Sequence, residues 1–143
     1  MVKLEDKALW INDKREMIVS GEIHYYRLEK SEWQDRITKL KESGCNAVAS
    51  YIPWICHEEE EGVFDLTGWE RENLDVVGFI DLCAANDLYF VARPGPFIMA
   101  EMKNEGIPYW VEENYPDLRC PTWDGRKTPN PTLDYLAPDF LRC

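Results

Sequence analysis

Three apolar runs, Met17–Ile23, Asn46–Ile52 and Leu88–Ala92, do most to limit what this chain can fold into. They are nearly continuous in apolar residues rather than alternating, which is how strands covered on both faces of a parallel sheet read. Helical periodicity lies between them. Trp33, Ile37 and Leu40 recur at helical spacing. Ser31 is placed to cap that helix, Glu32 adds an acid to its first turn and Gly44 is placed to close it. Leu74, Val77, Phe79, Ile80, Cys83 and Ala84 mark a second helix. Upstream, Leu9–Ile11 reads as a short strand and Asn12-Asp13-Lys14 as a polar turn. The order β-α-β-α-β predicts an α/β fold on a parallel sheet. A doubly wound sheet and a (β/α)8 barrel both satisfy it.

Polar and aromatic residues follow each apolar run. His24-Tyr25-Tyr26-Arg27 follows the first, Tyr51-Ile52-Pro53-Trp54 with His57-Glu58 the second, and Pro94-Gly95-Pro96-Phe97 with Glu101 the third. Both architectures place their sites at the C-terminal ends of strands. No G-x-G-x-x-G and no phosphate-loop lysine follows any strand, which weighs against a nucleotide site. Aromatic rings beside carboxylates suit a sugar. The ring faces pack on its C–H groups, and the carboxylates accept hydrogen bonds from its hydroxyls.

The remaining composition narrows the partners. The net charge of −11 argues against nucleic acid, which requires clustered Lys and Arg. No run approaches the roughly 18 apolar residues of a membrane span. Met1–Trp10 carries Lys3, Glu5, Asp6 and Lys7 and lacks the apolar core of a signal peptide, so a cytoplasmic location is expected. The cysteines are odd in number (Cys45, Cys56, Cys83, Cys120, Cys143) and lack zinc spacing; they read as reduced thiols. Cys56 and His57 are adjacent, but strand neighbours point to opposite faces, so they are not expected to act as a nucleophile pair. Beyond Trp110, prolines at 116, 121, 129, 131 and 138 predict a long irregular segment. A helix over Leu133–Leu141 would be interrupted by Pro138.

Five ordered blocks are similar to a known family. Ser20–Arg27 (SGEIHYYR) resembles the SGxxHYxR signature of family 35 glycoside hydrolases, the β-galactosidases. Tyr51–Glu58 (YIPWICHE) resembles Y-x-P-W-x-x-H-E, and Gly62–Gly68 (GVFDLTG) resembles G-x-F/Y-D-F-x-G. Arg93–Glu101 (RPGPFIMAE) resembles RPGPYIxAE, and Gly106–Val111 (GIPYWV) resembles G-L-P-x-W-L. The resemblance spans roughly residues 8 to 142. It implies a (β/α)8 TIM barrel, of which this chain supplies about the first three βα units as the N-terminal portion of the catalytic domain, stopping before strand four.

The implied activity is retaining hydrolysis of terminal β-galactosyl residues. The resemblance puts the acid/base glutamate at the end of strand four and the nucleophile at the end of strand seven. Neither is expected here, so no catalytic residue is assigned and the isolated chain is expected to be inactive. The implied substrate-binding residues are Tyr51, Met99, Ala100 and Glu101. His24, Arg27, Trp54, His57 and Glu58 are expected to support the site, with Arg27 pairing a buried carboxylate such as Glu58. No cofactor or metal is implied. The implied partners are a β-galactoside or related carbohydrate and the C-terminal part of the barrel. The alternatives are a non-catalytic galactose-binding fragment or truncated remnant, and a hydrolase of another β-glycoside. Departures from the pattern, such as Met99, Met102 and Glu105, surround the sugar-binding turn and leave sugar and linkage open.

Overall fold

The computed structural model describes residues 1–129 and 132–142. Pro131 and Cys143 lie outside the described residues. Two three-stranded sheets form the frame. The first is an antiparallel meander of β1 (Val2–Glu5), β2 (Ala8–Ile11) and β3 (Lys14–Glu16). Asn12 and Asp13 turn the second hairpin with φ of +50° and +62°. Both central positions of such a turn need the left-handed region, which Asn and Asp tolerate. Only β2 is expected from the sequence. Its flanking strands are short and mostly exposed: Val2 and Leu4 alternate with Lys3 and Glu5 in β1 but neither is buried, and β3 is wholly charged.

The second sheet is parallel, with β5 (Ala47–Ile52) between β4 (Ser20–Glu22) and β6 (Tyr89–Pro94). The expected first strand, Met17–Ile23, is shortened to three residues. Met17 is 80% exposed. The Asn46 side chain accepts from the Val19 N–H and donates to the Met17 carbonyl, each at 2.8 Å, in place of ladder bonds. Burial on both faces holds for Ala47–Ser50 of β5, whereas Val91 of β6 is exposed. Among the described residues the parallel strands form an open sheet and not a closed barrel.

Two helices cover one face. α1 (Trp33–Glu42) turns Trp33 and Ile37 inward. Ser31 does not cap it: it lies in a 3-10 turn, Lys30–Glu32, and the Glu32 carboxylate accepts from the Glu29 N–H at 3.3 Å. Gly44 closes the helix as expected, at φ +94°, with its N–H on the Lys41 carbonyl. α2 (Trp54–His57) is a single turn after β5. α3 (Val76–Ala85) is capped by Asp75, which accepts from the Gly78 N–H at 2.7 Å and pairs with Lys30 at 2.6 Å. Phe79 and Cys83 face inward as expected, whereas Val76 takes the inward place expected of Val77, and Val77 and Ala84 face outward.

The main core joins Tyr25, Trp33, Ile37, Val48, Phe79 and Cys83. Each large apolar side chain buried there contributes about 1.5–3 kcal/mol. A smaller core organises the proline-rich segment: Ile107, Trp110, Val111, Leu118 and Leu133, centred on α4 (Tyr109–Asn114). Leu133–Leu141 forms turns and no helix. Among the described residues no helix is long and apolar enough to cross a membrane.

Candidate functional site

Strand alternation divides the parallel sheet into two faces. Gly21, Val48 and Phe90 meet the helices: a Cβ on Gly21 would lie 2.5 Å from Leu40 Cδ1, and Phe90 meets Phe79 edge-on at 6.1 Å. The opposite face carries Glu22, Tyr51 and Arg93. Tyr51 is registered against Arg93, whose guanidinium lies 3.8 Å from the Tyr51 ring centroid. Arg93 also donates to Glu22. His24, just past β4, stacks on Tyr51 at 5.7 Å and 17° and sets its Nε2 3.1 Å from Glu22.

Burial pushes the His24 ring below the ordinary imidazole range; Glu22 opposes this, while Arg27 and Arg93 reinforce it. A neutral ring that donates from Nε2 to Glu22 keeps its lone pair on Nδ1. That Nδ1 is buried and has no partner among the described residues.

The loop after β6 supplies the other side. Met99, Ala100 and Glu101 follow one another at φ +52°, +50° and +50°. Left-handed backbone costs a side-chain-bearing residue about 1–2 kcal/mol, and such strain clusters at functional sites. The Met102 N–H closes the turn on the Met99 carbonyl at 2.9 Å, and the Arg27 guanidinium donates to the Ala100 carbonyl. Glu101 lines a cleft of about 620 Å³ with Tyr26, Arg27, Cys56, Lys103 and Tyr109. Tyr51, on which His24 stacks, is not among the residues that line this cleft with Glu101.

Arg27 does not pair with Glu58, contrary to the expectation from sequence. Its guanidinium is engaged by the Ala100 carbonyl, whereas the buried Glu58 carboxylate accepts from Trp54 Nε1 and, at 2.7 Å, from the Gly62 N–H. The contact of Arg27 runs to the backbone of the Met99–Glu101 turn instead of a buried ion pair. Trp54 packs edge-on against Trp110 at 5.5 Å and 88°. His57 is buried, with Nε2 2.5 Å from the Tyr25 hydroxyl and Nδ1 2.6 Å from the Asp65 carbonyl. A carbonyl can only accept, so Nδ1 carries the proton and Nε2 accepts from Tyr25. Burial lowers the His57 pKa and raises that of Cys56. Both residues lie on the helical turn α2 rather than on a strand, and the His57 ring is already taken up by Tyr25 and Asp65. Glu58 is buried, while Glu59, Glu60 and Glu61 face solvent.

Glu22, Tyr26, Asp65 and Arg93 are not among the residues singled out by sequence. Burial pushes the Asp65 carboxyl up, but N–H groups of Glu70, Trp69, Thr67 and Gly68 outweigh it and hold the group below its usual range. The signal for Glu22 and Arg93 lies in the pairing of Glu22 with Ala49 and of Arg93 with Tyr51. That register is readable only once the sheet is formed.

Comparison with known proteins defines the class first. The fold is that of β-galactosidase structures. The enzyme from the psychrophilic Marinomonas ef1 aligns with a TM-score of 0.68 at 15% identity, covering 88% of this chain and 18% of that one. At that identity the likeness concerns fold alone. The family follows from sequence: the model of glycosyl hydrolases family 35 matches residues 8–125, and the chain belongs to that family. The exo-β-D-glucosaminidase of Pyrococcus horikoshii is 38% identical over 143 residues, 98% of this chain and 18% of its own. The β-galactosidase-1-like protein 2 of Homo sapiens is 39% identical over 119 residues, 83% of this chain and 17% of its own. The chain thus spans less than a fifth of the length of these relatives.

Proposed function

We propose that this chain is the N-terminal portion of the (β/α)8 catalytic barrel of a retaining O-glycosyl hydrolase of β-galactosidase type. Its part is to read the sugar. The carrying observation is that Tyr51 lies at the C-terminal end of β5 while the Met99–Glu101 turn follows the adjacent parallel strand β6, with His24 stacked on Tyr51 and Arg27 donating to the Ala100 carbonyl. In this reading Tyr51 packs against the sugar ring, the Glu101 carboxylate accepts from its hydroxyls, and Met99 and Ala100 shape the turn between them. His24, Arg27, Trp54, His57 and Glu58 hold these groups in place. Retaining hydrolysis needs two carboxyl groups about 5–5.5 Å apart. The family resemblance puts both on later strands of the barrel, so this chain binds without turnover.

The test is titration of the purified chain with methyl β-D-galactopyranoside by calorimetry. Glu101→Ala is expected to weaken binding at least about tenfold, the worth of a hydrogen bond to a charged group. Undiminished binding by that variant would refute the role of Glu101. Hydrolysis of a chromogenic β-galactoside by the chain alone would refute the division of labour. A second reading, a β-D-glucosaminide as the sugar, is favoured by the match to the Pyrococcus horikoshii relative over 98% of this chain. Tighter binding of methyl β-D-glucosaminide than of the galactoside would select it.

A further inference from the structure

We propose that Tyr26 is a specificity-determining residue of this site, its phenolic hydroxyl hydrogen-bonding a neutral hydroxyl of the bound pyranoside in the cleft it shares with Glu101. This rests on the sugar-site reading above. Among the described residues, four buried side-chain polar atoms have no hydrogen-bond partner: His24 Nδ1, Tyr26 Oη, Arg93 Nε and Glu112 Oε1. The first three belong to one cluster at the C-terminal ends of the parallel strands. Buried polar groups in folded proteins are ordinarily satisfied, so these three atoms hold hydrogen-bonding capacity that the protein itself does not use.

Tyr26 is the most sharply defined of the three. It is 8% exposed and lines the 620 Å³ cleft together with Glu101. Its ring is held by His24 at 5.4 Å, by the edge of Tyr25 at 5.4 Å and by the Arg27 guanidinium at 5.7 Å. A phenylalanine ring would make all of these contacts, so the hydroxyl contributes nothing to the fold that the ring does not already provide. Residue 26 also falls at a position that the SGxxHYxR signature leaves open, so the shared framework does not dictate a tyrosine there.

The surroundings select the kind of group that fits. The Tyr26 hydroxyl lies within electrostatic reach of Arg27, Cys56, Glu22 and Tyr51. Glu22 is neutralised by Arg93, and Arg27 is turned to the Ala100 carbonyl near Glu101. A phenol that both donates and accepts matches a sugar hydroxyl, which also does both.

The experiment compares the wild-type chain with Tyr26→Phe in thermal melts and in calorimetric titrations. The ligands are methyl β-D-galactopyranoside and its monodeoxy derivatives, with methyl β-D-glucosaminide alongside. The melt should be unchanged and affinity for the parent galactoside should fall about 2- to 10-fold, the worth of one neutral hydrogen bond. One deoxy derivative should bind wild type and variant equally, identifying the hydroxyl contacted. Wild-type binding with an indifferent Tyr26→Phe overturns the role of Tyr26 and leaves the sugar site standing. A lowered melting temperature in Tyr26→Phe also overturns it, since the hydroxyl would then serve the fold. Failure of the wild-type chain to bind either sugar removes the sugar-site reading itself.

Discussion

Tyr25 and Tyr26 are adjacent, both buried, and predicted to respond oppositely to loss of a hydroxyl. Tyr25 is fully buried, with its ring set against Phe79 at 5.3 Å and Trp33 at 6.3 Å. Tyr25→Phe keeps that packing and removes only the oxygen that donates to His57 Nε2. The imidazole cannot compensate by changing tautomer, because its Nδ1 proton is committed to the Asp65 carbonyl at 2.6 Å. The variant therefore leaves a buried acceptor without a donor, which costs about 1–3 kcal/mol. At about 2–4 °C per kcal/mol for a domain of this size, the melting temperature should fall by about 2–12 °C. Urea unfolding followed by tryptophan fluorescence measures the cost directly, and an unchanged denaturant slope would show that only stability has changed. A Tyr25→Phe midpoint matching wild type would refute the buried Tyr25–His57 hydrogen bond.

Two further predictions concern stability. Burial lowers the folded-state pKa of His57, and of His24, below the unfolded value of about 6.5. The unfolded chain therefore binds more protons in that window. The stability owed to the neutral rings is complete above about pH 6.5 and is lost as pH falls from there to the folded-state values. Urea midpoints from pH 8 to 5 should decline below about 6.5, and a flat profile would contradict the assignment. Gly21→Ala would set a Cβ 2.5 Å from Leu40 Cδ1 and 2.9 Å from Leu40 Cγ. Overpacking of this kind costs about 1–3 kcal/mol, and Leu40→Ala added to it should cost less than the two single changes summed, as read from a double-mutant cycle.

The elements legible in the sequence are those whose periodicity is enforced by burial. β5 and the inward stripe of α1 stand out because Val48, Trp33 and Ile37 are packed in one core. β1 and β3 are invisible because nothing covers them. In α3, Phe79 and Cys83 are buried as expected, but Val76 takes the inward place expected of Val77, because the two are chemically alike and only packing tells them apart. Local capping is also ambiguous: Ser31 is a good cap by type, yet the chain enters α1 through the Lys30–Glu32 turn.

At the candidate site the division is similar. Tyr51, Met99, Ala100 and Glu101 are legible through the ordered blocks that match residues 8–125 to the family. The Glu22–Arg93–Tyr51–His24 cluster and the orphaned hydroxyl of Tyr26 are not. By itself the sequence determines the buried strand β5, the helices α1 and α3 and the family, because periodicity and local motifs are properties of neighbouring residues. Only the tertiary structure decides that Arg93 lies over Tyr51, that Arg27 holds the Ala100 carbonyl rather than Glu58, and that the Tyr26 hydroxyl has no hydrogen-bond partner among the described residues. Those facts depend on strand register and loop closure between residues distant in the chain. A shift of β6 by one residue against β5 would turn Arg93 to the face opposite Tyr51 and Glu22.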